Sequence, residues 1–157
     1  MIKVIAVGNR LMQDDGVAVA VAEYLRNRLE SMELEVIIGE TDFNFCFHFL
    51  EEDDPVILLD AAFTGSNPGS IHVKQLREAS CGYGRTGSTH EQSIFDLMRL
   101  YSKTFRGYLI GIEISEAGFG CELSDSLNNQ FDGICLEVER IINGIVKEER
   151  NARHFSE

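Results

Sequence analysis

Pro55-Val56-Ile57-Leu58-Leu59-Asp60 is a continuous apolar run closed by a carboxylate. A strand with one wet face would alternate polar and apolar residues. An unbroken run therefore reads as a strand covered on both faces, the usual state of a parallel sheet with helices on either side. Working outward, Ile2-Lys3-Val4-Ile5-Ala6-Val7, ended by Gly8-Asn9, reads as a second buried strand. Residues 35–39 and 107–113 supply two more. Between them, residues 15–31 carry helical spacing and good helix formers after Asp14 and Asp15, acids that suit a helix N-terminus. Residues 43–52 read as a short helix with Phe43, Phe47 and Leu50 on one face.

Residues 70–76 read as a strand too. The connection from Asp60 is shorter than the roughly twelve residues a parallel crossover needs, so this strand runs antiparallel. After the glycine-rich stretch Cys81-Gly82-Tyr83-Gly84-Arg85-Thr86-Gly87, the segment Ser88-Thr89-His90-Glu91 fits a capping box opening a helix to about Lys103. A final helix starts at Ser124 or Asp125 and runs to Glu149, leaving residues 151–157 as a flexible tail to a single domain over 1–150. The expected fold is α/β, a three-layer α/β/α sandwich around an about five-stranded, mostly parallel sheet with one antiparallel strand.

Composition narrows the function classes. The chain of 157 residues holds 26 Asp and Glu against 14 Lys and Arg, a net charge of −12, with 44% hydrophobic residues. That acid excess argues against nucleic acid, whose phosphates demand a cationic face, and against anionic membrane surfaces. The apolar fraction is too high for a disordered acidic chain and sufficient for a core without staples. Four cysteines, Cys46, Cys81, Cys121 and Cys135, show no metal-ribbon spacing and read as free thiols of a reducing compartment. With neither a signal peptide nor a membrane span legible, the expectation is a cytoplasmic monomer.

Ligands of open α/β sheets bind outside the carboxyl ends of the strands. There the sequence places Gly8-Asn9-Arg10-Leu11-Met12-Gln13-Asp14-Asp15-Gly16 and Asp60. Neither G-x-G-x-x-G nor a P-loop lysine is present, and paired carboxylates repel phosphate, so the loop does not read as a nucleotide site. Carboxylates point instead to a cation or to proton transfer, although Asp14-Asp15 also fits simple helix capping. Asp60 is harder to dismiss, because a nearly buried carboxylate needs a partner. Of the four histidines, His90 sits at a helix start beyond a glycine-rich loop. Two carboxylates and one imidazole make a mixed O/N set suited to a borderline divalent ion such as nickel, zinc or manganese.

The stretch from Val7 to Val17 resembles the N-terminal signature of the hydrogenase maturation endopeptidases. Leu59-Asp60-Ala61 with Gly65 and Asn67-Pro68-Gly69 resembles that family's second signature, and Ser88-Thr89-His90 its histidine segment. Gly111-Ile112-Glu113 and Leu123-Ser124 are fainter matches. The resemblance implies an α/β sandwich that removes a C-terminal extension from the precursor of the nickel–iron hydrogenase large subunit after nickel insertion. The nickel, carried by the substrate, serves as the recognition signal. It implies further that Asp15, Asp60 and His90 contact that nickel, and Asp15 is one methylene shorter than the Glu of many members. Ile38-Gly39-Glu40-Thr41 departs from the common Asp-Gly-Gly-Thr, a segment tied to substrate discrimination, which makes Glu40 and Thr41 candidate recognition residues.

Asp15, Asp60 and His90 are thus the expected catalytic and metal-contacting residues, with Asp14 the nearest further carboxylate to orient or activate water. Cys81 is a less attractive nucleophile, since no second activating group accompanies it. Two other classes stay open: a non-catalytic nickel-binding or chaperone module for hydrogenase assembly, and a small-molecule metallohydrolase using the same three ligands.

Overall fold

The computed structural model describes residues 1–52, 54–77, 96–97 and 99–154. Strands β1 (Lys3–Val7), β2 (Glu35–Glu40), β3 (Val56–Ala62), β4 (Ile71–Gln75) and β5 (Gly107–Glu113) form one sheet in the order β2-β1-β3-β5-β4. All pairings are parallel except β4 with β5. The antiparallel strand is therefore where the short connection required it.

Period-two alternation in the strands assigns the two faces. Val4, Ala6, Ile57, Leu59, Ile110 and Ile112 pack with helices α1 (Val17–Ser31) and α3 (Asp125–His154). Ile5, Val7, Val56, Leu58 and Leu109 pack with Cys46 of helix α2 (Phe43–His48), and with Leu50, Leu76 and Phe105. Val17, Val21, Leu25 and Leu29 recur every fourth residue along α1 and are all fully buried. Each such side chain contributes about 1.5–3 kcal/mol of transfer free energy. Val17-Ala18-Val19-Ala20-Val21-Ala22 would alternate equally well as a strand, but that helical stripe overrides the pattern.

Four boundaries differ from the sequence reading by two residues or more. Residues 13–16 are a 3-10 turn, and α1 begins only at Val17 with Gly16 as its N-cap and no side-chain cap. The short helix α2 stops at His48, because Phe49 and Leu50 turn back to bond the carbonyls of Cys46 and Phe47. Strand β3 continues two residues past Asp60, where Ala61 and Ala62 pair with Ile112 and Glu113. Helix α3 runs to His154, so residues 151–154 are helical rather than a frayed tail. Arg150 anchors that last stretch, donating to the Met32 carbonyl at 2.7 Å.

The helix expected over 88–103 is helical at residues 96, 97, 99 and 100. The glycine-rich stretch, the capping box, Cys81 and His90 lie outside the described residues. No helix among the described residues is long and apolar enough to cross a membrane.

Candidate active site at the carboxyl ends of the strands

Strand order reverses between β1 and β3, since β1 leads outward to β2 on one side and the chain returns to β3 on the other. The loops leaving the carboxyl ends of these two strands flank the crevice in which open α/β sheets take their ligands. The first loop, residues 8–16, is folded tightly on itself. Gly8 has φ +144°, and a Cβ there would lie 2.2 Å from the Asp15 carbonyl oxygen, so only glycine lets the chain pass. The Asn9 side chain accepts from the Leu11 N–H at 2.9 Å, and the Asn9 N–H donates to Asp15 Oδ2 at 2.9 Å. Asp15 is half-buried, its carboxylate held at the loop's own entrance.

Asp60 is fully buried in β3. It shares the sheet face of Val56 and Leu58, the side covered by α2. Its Oδ1 accepts from the Ala61 N–H at 2.8 Å. Asp15 stands on the 3-10 turn that follows β1, and that turn packs against β3, the neighbouring strand that holds Asp60. His90 lies outside the described residues. Among those residues no group of three or more His, Cys, Asp or Glu gathers to hold a metal ion.

Asp14 is employed otherwise than expected. It is fully buried, and its carboxylate accepts four hydrogen bonds. Oδ2 takes the Ser115 N–H at 3.0 Å, the Glu116 N–H at 2.9 Å and the Ser124 hydroxyl at 2.8 Å; Oδ1 takes the Ser124 N–H at 2.7 Å. A carboxylate offers about four lone-pair positions, so these donors fill it. Ser124 Oγ in turn accepts from the Leu127 N–H in the first turn of α3. Asp14 therefore does not cap α1; it ties the β1 loop to the β5 loop and to the start of α3. Backbone bonds between Gln13 and Gly120 at 2.8 Å, and between Gly120 and Leu11 at 2.9 Å, run alongside.

Glu40 and Thr41 are both exposed at the end of β2. The register slips between Ala6 and Val7 of β1, which pair with Ile38 and Glu40, so Gly39 is bulged out. A Cβ on Gly39 would meet the buried Cys46 Sγ at 1.9 Å. Glu40 itself has φ +50°. Its carboxylate takes the Arg10 Nε–H at 2.8 Å, while Arg10 Nη1 reaches Glu23 on α1 at 2.8 Å. These bonds, Glu23 foremost, push the Arg10 guanidinium further up from its ordinary range. Glu40 thus braces the 8–16 loop rather than standing alone.

Glu113, which the sequence reading did not place in the site, closes β5 and is almost fully buried. Its Oε1 accepts the N–H groups of Thr64, Gly65 and Ser66 at 2.8, 2.9 and 3.1 Å. Its Oε2 accepts the Thr64 hydroxyl at 2.9 Å and meets His72 Nε2 at 3.2 Å. Burial alone pushes this carboxyl up, but the bonds from Thr64, Gly65 and His72 outweigh it and hold the group below its usual range. Glu113 shapes the loop that follows β3. The signal was available: like Asp60, it is a lone acid closing an apolar run of sequence.

The hydrogenase maturation protease family model matches residues 19–141, a span that includes Asp60 and begins just past Asp15. Among solved structures, the [NiFe] hydrogenase maturation protease HybD from Thermococcus kodakarensis is 25% identical, with TM-score 0.67 over 90% of this chain and 99% of its own. The hydrogenase maturating endopeptidase HybD from E. coli superposes with TM-score 0.73 at 17% identity, over 92% of this chain and 93% of its own. The endopeptidase HycI from Escherichia coli gives TM-score 0.62 at 19% identity, over 87% and 88%. No curated protein sequence matches the chain. With the family model spanning most of the sequence, the chain belongs to the hydrogenase maturation proteases.

Proposed function

We propose that this maturation protease removes a C-terminal segment from the precursor of a nickel–iron hydrogenase large subunit once nickel has been inserted. The nickel arrives with the substrate, and Asp15, Asp60 and His90 engage it. The observation that supports the reading is that Asp15, fixed by the Asn9 N–H at the mouth of the β1 loop, stands on a turn that packs against β3, the strand in which Asp60 is buried. Two carboxylates acting on one ion suit a hard-to-borderline divalent metal, and an imidazole completes a set open to further ligands. The peptide bond adjoining the nickel site is then held beside groups able to take a proton from water and return one to the leaving amine. Asp14 stays out of the chemistry and holds the loop.

The protein works, on this reading, as a cytoplasmic monomer that meets its precursor transiently. The test is direct. The purified chain is incubated with nickel-loaded, unprocessed large subunit, and the product is weighed by mass spectrometry. Loss of a C-terminal peptide is expected, and Asp15→Ala, Asp60→Ala and His90→Ala should each abolish it. An intact precursor after incubation with the wild-type chain would overturn the reading. Cleavage surviving all three substitutions would move the site elsewhere.

A further inference from the structure

The loops around the crevice expose large apolar side chains that this fold does not use. Leu11 on the β1 loop is 63% exposed, Phe63 directly after β3 is 65% exposed, and Phe119 on the β5 loop is 91% exposed. Leu11 and Phe119 stand on segments that run side by side, bonded to each other through Gly120. Phe63 leaves the same end of the sheet, one residue beyond the Ala62–Glu113 pairing. Their supports are stiff: Asp14 binds the first and third loops together, and Glu113 holds the second.

Exposed aromatics on a preorganised base at the mouth of a crevice are what binding anchors look like before a partner arrives. The charge around them indicates the partner. Glu40, Glu116, Glu122 and Asp125 are exposed at this end. The one cation in loops 8–16, 40–42, 63–70 and 114–124 is Arg10, already bonded to Glu23 and Glu40. We propose that Leu11 and Phe119, with Phe63, form an apolar docking patch for the precursor segment flanking the scissile bond, a segment of apolar side chains accompanied by Lys or Arg. The proposal rests on the protease reading above and names the chemistry by which the substrate is gripped away from its nickel.

The experiment measures kcat and KM on nickel-loaded precursor for the wild type, Leu11→Ser, Phe119→Ser and the double variant. All of these fold, because the side chains replaced lie outside the core. Leu136→Ser, on an equally exposed leucine of α3, is the control. Truncating an anchor should raise KM roughly tenfold and leave kcat within about twofold, whereas Leu136→Ser changes neither. Raising salt from about 0.05 to 0.5 M should raise KM further, and less so in Glu116→Gln/Glu122→Gln. An unchanged KM in the double variant overturns the docking patch while the protease reading stands. No cleavage by the wild type overturns both. A dimer in sedimentation that Phe119→Ser converts to monomer, with KM unmoved, would assign the patch to a second copy and overturn the proposal.

Discussion

Replacing Asp14 by Asn separates the two roles a carboxylate can have here. The side chain keeps its size, but one oxygen becomes an NH2 donor. Placed at Oδ2, it would face three donors, so the amide turns and presents its nitrogen to the Ser124 N–H, the single donor now 2.7 Å from Oδ1. One buried backbone N–H is left facing another donor, and the three remaining bonds lose their ionic partner. A bond to a charged group is worth about 1.5–3 kcal/mol, and an unsatisfied buried donor costs about 1–3 kcal/mol. The worked expectation is a loss of about 2–3 kcal/mol, read as a drop in Tm of about 5–10 °C for a chain of this length. Asp14→Ala, which abandons all four donors, should cost about 4–5 kcal/mol. Calorimetry gives the stability, and turnover on nickel-loaded precursor, corrected for the folded fraction, gives the chemistry. A general base would take about 10²–10⁴ of rate with it. An Asp14→Asn protein with unchanged Tm and turnover lost on that scale would refute the bracing role.

Glu113 carries a pH prediction whose sign follows from its environment. Its carboxyl is held below the ordinary carboxylate value, so its contribution is present above about pH 4.3 and is lost as pH falls through its lower folded value. Urea unfolding across the acid range should therefore show the gap between wild type and Glu113→Gln closing as pH drops; a gap that widens would contradict it. Gly8→Ala puts a methyl 2.2 Å from the Asp15 carbonyl oxygen at a φ that L-residues rarely adopt, so both stability and precursor cleavage should fall, the first by about 2 kcal/mol or more. Wild-type stability and turnover in that variant would mean the loop can open without consequence. Burial pushes the thiols of Cys46 and Cys135 up to about 11, whereas Cys121 is exposed. Brief iodoacetamide treatment of the native protein at neutral pH should label Cys121 and spare the other two, with peptide mapping as the check.

The fold was legible because its signals are local and redundant. The unbroken run ending at Asp60 announced a doubly covered strand, and the short connection after it forced the antiparallel partner. The placement of the candidate residues in the fold was legible in part. Asp60 could be read as a buried acid at a strand end, but the same argument applied to Glu113, which closes β5 as Asp60 nearly closes β3. What hid Glu113 is that its partners, Thr64, Gly65 and Ser66, come from a loop far away in sequence. Asp14 and Asp15 were indistinguishable as neighbours at a helix start. A 3-10 turn rotates successive residues by about a third of a circle, so adjacent side chains leave in different directions. One enters the interior toward Ser124 and the other turns back to Asn9. No periodicity reports that difference, because it depends on where a loop more than a hundred positions later comes to rest.

That long-range tie has a consequence for substrate recognition. Under the proposed function, recognition through a metal and a few side chains needs those groups held to within fractions of an ångström, and loops do not hold themselves so. Here the 8–16 loop alternates its duties: Leu11 faces out, Asp14 is buried beneath, and Asp15 returns to the loop's entrance. The 114–124 loop does the same, with Phe119 outside and Ser115, Glu116 and Ser124 giving their N–H groups to Asp14. The proposed docking patch and the carboxylate fixed by Asn9 therefore share one buried anchor. Loosening that anchor should shift substrate grip before it touches chemistry, so Asp14→Asn should raise KM in the molecules that remain folded while leaving kcat nearly unchanged. A kcat loss with KM preserved would instead mean that Asp14 governs the reacting groups directly, and that grip and chemistry are supported separately.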